Sequence, residues 1–206
     1  MIVLLANLKP GVAKTTSAGY LLHAIHERGE RVIGVDADPS RSLERWADAA
    51  GFAMPVMSLV TTSIHTTLPQ LIPDGAHVII DGAQAEDHAG VIASAARIAD
   101  VVLVPLAPSG VELERTLLMK KFLEDDVAPL TSSGRIDIRA LLNRTIPNAT
   151  STGEVRGVLT DAGWTVASTT IPRREEFAAS WGNPVTARGT AYDALVTELG
   201  IGGRGA

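Results

Sequence analysis

Three stretches carry the residue types that phosphate chemistry needs: K-P-G-V-A-K-T-T at residues 9–16, D-A-D-P-S at 36–40, and Asp81 closing the apolar run H-V-I-I. Lys14, Thr15 and Thr16 fall in the first turn of a helical pattern that follows a tight loop. A helix N-terminus offers unpaired backbone N–H groups and the positive end of its dipole, so a phosphate chain belongs there. Lys14 would then reach the β- and γ-phosphates, and the Thr15 hydroxyl would ligate Mg²⁺. Carboxylates nearby suit the other needs of phosphoryl transfer, a held metal and a positioned water. Each stretch also has an ordinary reading: two solvated lysines on a surface loop, Asp38 as the N-cap of the helix after it, Asp81 as a loop start.

These residues need elements to position them. Residues 1–6 (M-I-V-L-L-A) form a continuous apolar run, as expected of a strand buried on both faces of a parallel sheet. After Lys14, apolar residues recur at Ala18, Leu21, Leu22 and Ile25, one face of a helix ending near Gly29. Residues 31–35 read as a second strand delivering Asp36, and 77–80 as a strand delivering Asp81. Two carboxylates two positions apart at a strand end, with the chain turning at Pro39, need not converge on one point, so Asp36 and Asp38 are expected to differ in role. Residues 54–60 suggest an edge strand and 62–72 a short helix interrupted by Pro69; His65 reads as a surface residue, with no partner at metal spacing. Residues 99–108 and 137–142 are further strands, and 164–170 a last one. The helix from Ser109 is expected to bury Leu113, Leu117, Leu118 and Phe122. Its Arg115, Lys120 and Lys121 face either DNA or, balanced by neighbouring acids, plain solvent.

Bulk properties narrow the class. The 206 residues suit one well-buried α/β domain, taken as residues 1–200 with a flexible tail at 201–206. The chain is 46% hydrophobic and only 4% aromatic, which implies an aliphatic core. It has no cysteine, so disulfides, thiolate metal sites and iron–sulfur clusters are excluded. No apolar run is long enough to span a bilayer and the N-terminus lacks a basic leader, so a cytoplasmic protein is expected. The net charge of −5 argues against a free-standing basic nucleic-acid module. Residues 101–206 nonetheless hold eleven of the eighteen Lys and Arg, against twelve of the twenty-three acids, which makes them the better side for a polyanion.

Taken together, the stretches resemble the ParA/MinD family of deviant Walker A ATPases, and within it the small plasmid-type partition proteins. The loop resembles K-G-G-x-G-K-T-T, with Pro10 and Ala13 in place of two glycines; D-A-D-P-S resembles D-x-D-P-Q; and D-G-A after the strand resembles the plasmid subgroup. The resemblance implies a doubly wound, mainly parallel sheet with helices on both faces, its site at the carboxyl ends of the strands. It implies ATP and Mg²⁺ as cofactors, held by Lys9, Pro10, Gly11, Val12, Ala13, Lys14, Thr15 and Thr16. Asp38 would orient the attacking water, while Asp36 and Asp81 would support the metal. Asn143 would meet the adenine edge, which suits its paired donor and acceptor, and Pro172, counted with the cofactor-binding residues, would open a segment set against the base or the dimer face. Lys9 would cross an ATP-bound homodimer to the partner's phosphates. The implied partners are non-specific DNA and a ParB-like centromere-binding adaptor, on the nucleoid. Membrane docking is disfavoured, because the last helix and tail carry a single Arg204 where membrane-cycling relatives have a basic amphipathic helix. Pro10 removes a backbone donor and Ala13 brings a Cβ towards the phosphates, so affinity for nucleotide is the property these departures bear on.

Overall fold

The computed structural model describes residues 1–202. Eight strands form one parallel sheet: β1 (Ile2–Asn7), β2 (Val32–Asp36), β3 (Val56–Ser58), β4 (His77–Gln84), β5 (Val101–Leu106), β6 (Ile138–Thr145), β7 (Thr165–Val166) and β8 (Ile171–Pro172). Their order is β3-β2-β4-β1-β5-β6-β7, with β8 also pairing with β6. The interior strands are apolar along their length because both faces are covered. Val3, Leu5, Ile79 and Leu103 project to one side, Leu4, Ile80, Val102 and Val104 to the other. The first side packs on α1 (Lys14–Glu27) and α2 (Ser42–Ala50) and, from the end of the chain, α8 (Ala191–Glu198). The second packs on α3 (Ile64–Thr67), α4 (Ala85–Ala96), α5 (Gly110–Lys121) and α6 (Thr150–Asp161). A one-turn helix, α7 (Glu175–Ala178), follows β8. The expected doubly wound architecture is therefore present, and the loop after β1 leaves the sheet where strand order reverses, the place where such folds bind ligands.

Four local readings change. β4 runs on to Gln84, so Asp81 lies inside the strand rather than at its end. Gly82 permits this: a Cβ there would lie 2.5 Å from the Leu5 carbonyl oxygen, and the β1–β4 register shifts between Leu5 and Asn7. Of the four residues expected to be buried on the helix from Ser109, α5, Leu113 and Phe122 pack against the core, whereas Leu117 and Leu118 are 38% and 52% exposed and Thr116 and Met119 are fully buried. Thr116 holds a core position because its hydroxyl donates to the Glu112 carbonyl at 2.8 Å, which hides the true buried ridge from an apolar count. A π-helical turn at Phe122–Val127 then shifts the phase. Of the strand expected at 164–170 only Thr165–Val166 forms, and pairing resumes at Ile171, because the N–H groups of Ser168 and Thr169 donate to the Glu198 carboxylate at 2.7 and 2.8 Å instead of to the sheet. Finally, Ile201, placed in the tail by sequence, is buried in the core. Residues 203–206 of that tail, with Arg204, lie outside the described residues.

Candidate functional site

At the carboxyl end of β1, Asn7 is buried and its Nδ2 donates to the Pro105 carbonyl at 2.8 Å, tying the loop to β5. The loop turns through Gly11 (φ 75°) and enters α1 through Ala13 (φ 67°, ψ 33°), both left-handed. At Gly11 this costs nothing, whereas at Ala13 the Cβ makes it unfavourable by about 1 kcal/mol. The tight turn leads α1 straight off the loop, with Lys14 as its first residue.

Lys14 is buried, and its Nζ donates to the Lys9 carbonyl at 3.2 Å. Burial pushes its ammonium below the ordinary lysine range, opposed by the nearby Asp81 and Asp38 carboxylates. Lys9 turns the other way: its Nζ forms an ion pair with Glu112 of α5 at 2.9 Å. The predicted crossing to a second subunit is thus matched, within one subunit, by a pairing to the subunit's own helix.

The two aspartates of 36–40 do differ. Asp36 is buried, and its carboxylate accepts the N–H groups of Asp38, Leu43 and Glu44 at 3.0, 2.8 and 3.1 Å. Burial raises its pKa and those three bonds oppose the rise. Asp36 thereby caps α2, the task weighed for Asp38, and shapes the turn. The Asp38 carboxylate accepts one hydrogen bond, from the Ser40 N–H at 2.8 Å, and Asp38 lines the cavity over the loop. Asp81 is fully enclosed and neither carboxylate oxygen has a hydrogen-bond partner. Burial pushes its carboxyl up to about 7, opposed by the adjacent Thr15 hydroxyl and Lys14 ammonium, with Asp36 and Asp38 adding to the rise. A buried acid without partners is costly unless something else satisfies it.

Two cavities meet over this floor. One, of about 330 Å³, is lined by Pro10, Gly11, Lys14, Thr15, Asp38 and Gln84 among others. A second, of about 520 Å³, is lined by Asn143, Pro172, Arg173, Phe177 and Tyr192 among others. Ala13, Thr16 and Arg144 line both. The polar, loop-walled cavity suits a phosphate chain and the larger, partly apolar one suits a base and sugar. Of the predicted residues, Lys9, Val12, Asp36 and Asp81 line neither cavity, and the last three of these are buried. Asn143 is buried; its Oδ1 accepts the Arg144 N–H at 2.7 Å and its Nδ2 approaches Ser17 Oγ at 3.5 Å. Ser17 Oγ is in turn 3.1 Å from the Tyr192 hydroxyl, whose pKa burial pushes up to about 12.

The donor set fits magnesium. Asp81 is an orphaned hard oxygen ligand beneath Thr15, and among the described residues no three His, Cys, Asp or Glu side chains form a cage of their own. Mg²⁺ is commonly held by one or two protein oxygens, with phosphate and water supplying the rest.

Sequence reasoning missed Ser17, Gln84, Arg144 and Tyr192. Gln84 was within reach, since it closes the D-G-A-Q run; Tyr192 comes from α8, far along the chain, and carries no motif. The basic set of α5 is largely committed: Arg115 pairs with Glu86, and Lys120 donates to the Gly163 carbonyl at 2.9 Å and pairs with Glu124 at 3.5 Å. His65 bonds Ser94 Oγ at 2.8 Å and Arg97 at 3.0 Å, a structural role.

The family profile described as CobQ/CobB/MinD/ParA nucleotide binding domain matches residues 3–185. Protein ParA of Rhizobium radiobacter is 32% identical over 114 residues, 54% of this chain, and the match spans only 50% of that relative. Maintenance of carboxysome distribution protein A of Gloeobacter kilaueensis is 31% identical over 182 residues, 87% of this chain and 77% of the relative. Among solved structures, an alanine variant of Cyanothece McdA in complex with ATP aligns with a TM-score of 0.76 at 15% identity, covering 97% of this chain and 96% of that one.

Proposed function

The chain belongs to the CobQ/CobB/MinD/ParA nucleotide-binding family, among its ParA/MinD-type positioning ATPases, and on that premise we propose that it hydrolyses Mg-ATP to distribute a cargo over the nucleoid. The observation that carries this reading is the pair of adjoining cavities over the loop, with the enclosed Asp81 carboxyl beside Lys14 and Thr15, two residues that line the smaller one. The ATP bound to the Cyanothece McdA variant supports the same nucleotide here.

In this reading Lys14 exchanges the Lys9 carbonyl for the β- and γ-phosphates, and backbone N–H groups of the loop receive the phosphate oxygens. Asp81 and the Thr15 hydroxyl would hold magnesium, whose charge would offset that developing on those oxygens. Asp38, facing the cavity with an oxygen to spare, orients the attacking water. The water oxygen bonds to the γ-phosphorus as the bond to the bridging oxygen breaks, ADP takes the electron pair, and the proton ends on inorganic phosphate. Asn143 and Pro172 hold the base. Lys9 leaves Glu112 and crosses to the partner subunit, so the ATP state is a homodimer.

The dimer binds DNA without sequence preference, and a ParB-like adaptor on the cargo stimulates hydrolysis and release. Plasmid or chromosome partition is the leading cargo. A second reading, a protein compartment as cargo, is favoured by the long match to the carboxysome distribution protein. Among the described residues no helix is long and apolar enough to cross a membrane. The apolar face of α8 is spent on the core through Tyr192, Leu195 and Val196, so this helix offers none to a lipid surface. Steady-state phosphate release tests the chemistry: Mg-dependent turnover raised by DNA with cargo adaptor, and lost in Asp38→Ala with ATP binding kept, is expected. Turnover unchanged by Asp38→Ala would refute the assigned role, and no turnover under any condition would leave a nucleotide switch.

A further inference from the structure

Arg144 stands where the base cavity and the phosphate cavity join, lining both. Its backbone is left-handed, at φ 54°, a conformation that a glycine would adopt without strain and an arginine does not. The turn is held by its neighbour: Asn143 Oδ1 accepts the Arg144 N–H at 2.7 Å. The Arg144 side chain is exposed, and among the described residues no carboxylate pairs with it. A strained, unpaired cation at a cavity junction needs a reason to persist, and strain of this kind gathers at ligand clamps.

The order of groups in a nucleotide supplies the reason. With the base beside Asn143 and Pro172 and the terminal phosphates at Lys14, the ribose and α-phosphate must pass the junction. Only the phosphate of those two is charged, and a guanidinium fork matches phosphate oxygens in two parallel hydrogen bonds. We propose that Arg144 clamps the α-phosphate of the bound nucleotide, and that the left-handed turn after Asn143 is kept because it aims the guanidinium there. This rests on the nucleotide-binding reading above. It makes Arg144 a ligand-positioning residue, and it couples base and phosphate recognition through one backbone turn, since Asn143 holds the turn that carries Arg144.

The test is direct titration of fluorescent mant-ADP into the wild-type chain and the Arg144→Ala, Arg144→Lys and Arg144→Gly variants, with AMP and adenosine as competitors. Arg144→Ala should weaken mant-ADP and AMP by about tenfold or more and leave adenosine within about twofold. Arg144→Lys should recover part of the loss. Arg144→Gly should bind as weakly as Arg144→Ala while melting at or above the wild-type temperature, because it sheds the strain but not the fold. Equal losses for adenosine and AMP would place the guanidinium on the base and overturn the proposal, as would wild-type affinity in Arg144→Gly. A melting temperature lowered in all three variants in step with lost affinity would make Arg144 structural and overturn it too. Should the wild-type chain ignore mant-ADP, the nucleotide reading itself falls and Arg144 with it.

Discussion

Asp81 is the residue whose environment says most. Its enclosed carboxyl keeps its proton up to about pH 7, whereas in the unfolded chain it releases it near 3.8. Between those values the folded state binds more protons, so the ligand-free protein loses stability as pH rises, by up to ~1.4 kcal/mol per pH unit. Asp81→Asn should therefore leave stability unchanged near pH 4 and raise it by more than ~1 kcal/mol at pH 8, read as urea midpoints at both values. An equal effect at the two values would show that Asp81 is ionised and satisfied without a ligand. Mg-nucleotide needs the ionised form, so its affinity should climb with pH through the same window and level off above it. At Ala13 the left-handed backbone is carried by a residue with a Cβ, so Ala13→Gly should stabilise the fold by roughly 0.5–1 kcal/mol and tighten mant-ADP. Lower stability in that variant would mean the loop is not strained. At this scale the sequence was informative where type and spacing coincide, as at Lys14 and Asp81. It was silent on Arg144 and Tyr192, whose roles depend on which distant elements share a cavity. The resemblance gave Asp36 to the metal and Asp38 to the water, but no side-chain pattern reports that the Asp36 carboxylate accepts three backbone N–H groups.

Parallel strands place every site loop on one edge of the sheet, and β4 shows how closely that placement is tuned. Gly82 lets β4 continue past Asp81 while β1 shifts register beside it. Gly82→Ala would press a Cβ onto the Leu5 carbonyl, which cannot yield as a flexible side chain can. We expect a loss of ~1–3 kcal/mol in denaturant unfolding and, from movement of Asp81, weaker Mg-dependent nucleotide binding than Mg-free binding. A stability loss that affected the two equally would separate the bulge from the metal site. The central strands and α1 were legible as apolar runs and periodic faces. The buried ridge of α5 was not, because Thr116 occupies a core position with its hydroxyl satisfied inside the helix. Leu117 and Leu118, left exposed by that arrangement, stand on the same helix as Glu112, the residue that holds Lys9.

For the whole molecule, the cis pairing of Lys9 with Glu112 sets a monomeric state against the proposed dimer, in which Lys9 serves the partner. Glu112→Gln removes one charge of that pair and should increase the dimer fraction with Mg-ATP, measured by light scattering; no change would mean the pairing does not oppose dimerisation. The net charge of −5 requires that any DNA surface be local, and Lys and Arg are concentrated in the second half of the chain. Fold class and family were legible from three short motifs, while cargo and adaptor leave no trace in residues that pack or bind nucleotide. The most direct measurement is binding of the Asp38→Ala chain to arbitrary duplex DNA in Mg-ATP and in Mg-ADP. Retention with ATP alone, weakening steeply as salt rises, is the predicted result and marks a nucleotide-gated binder of the phosphate backbone. Equal retention in both states, or none in either while ATP still binds, would contradict it.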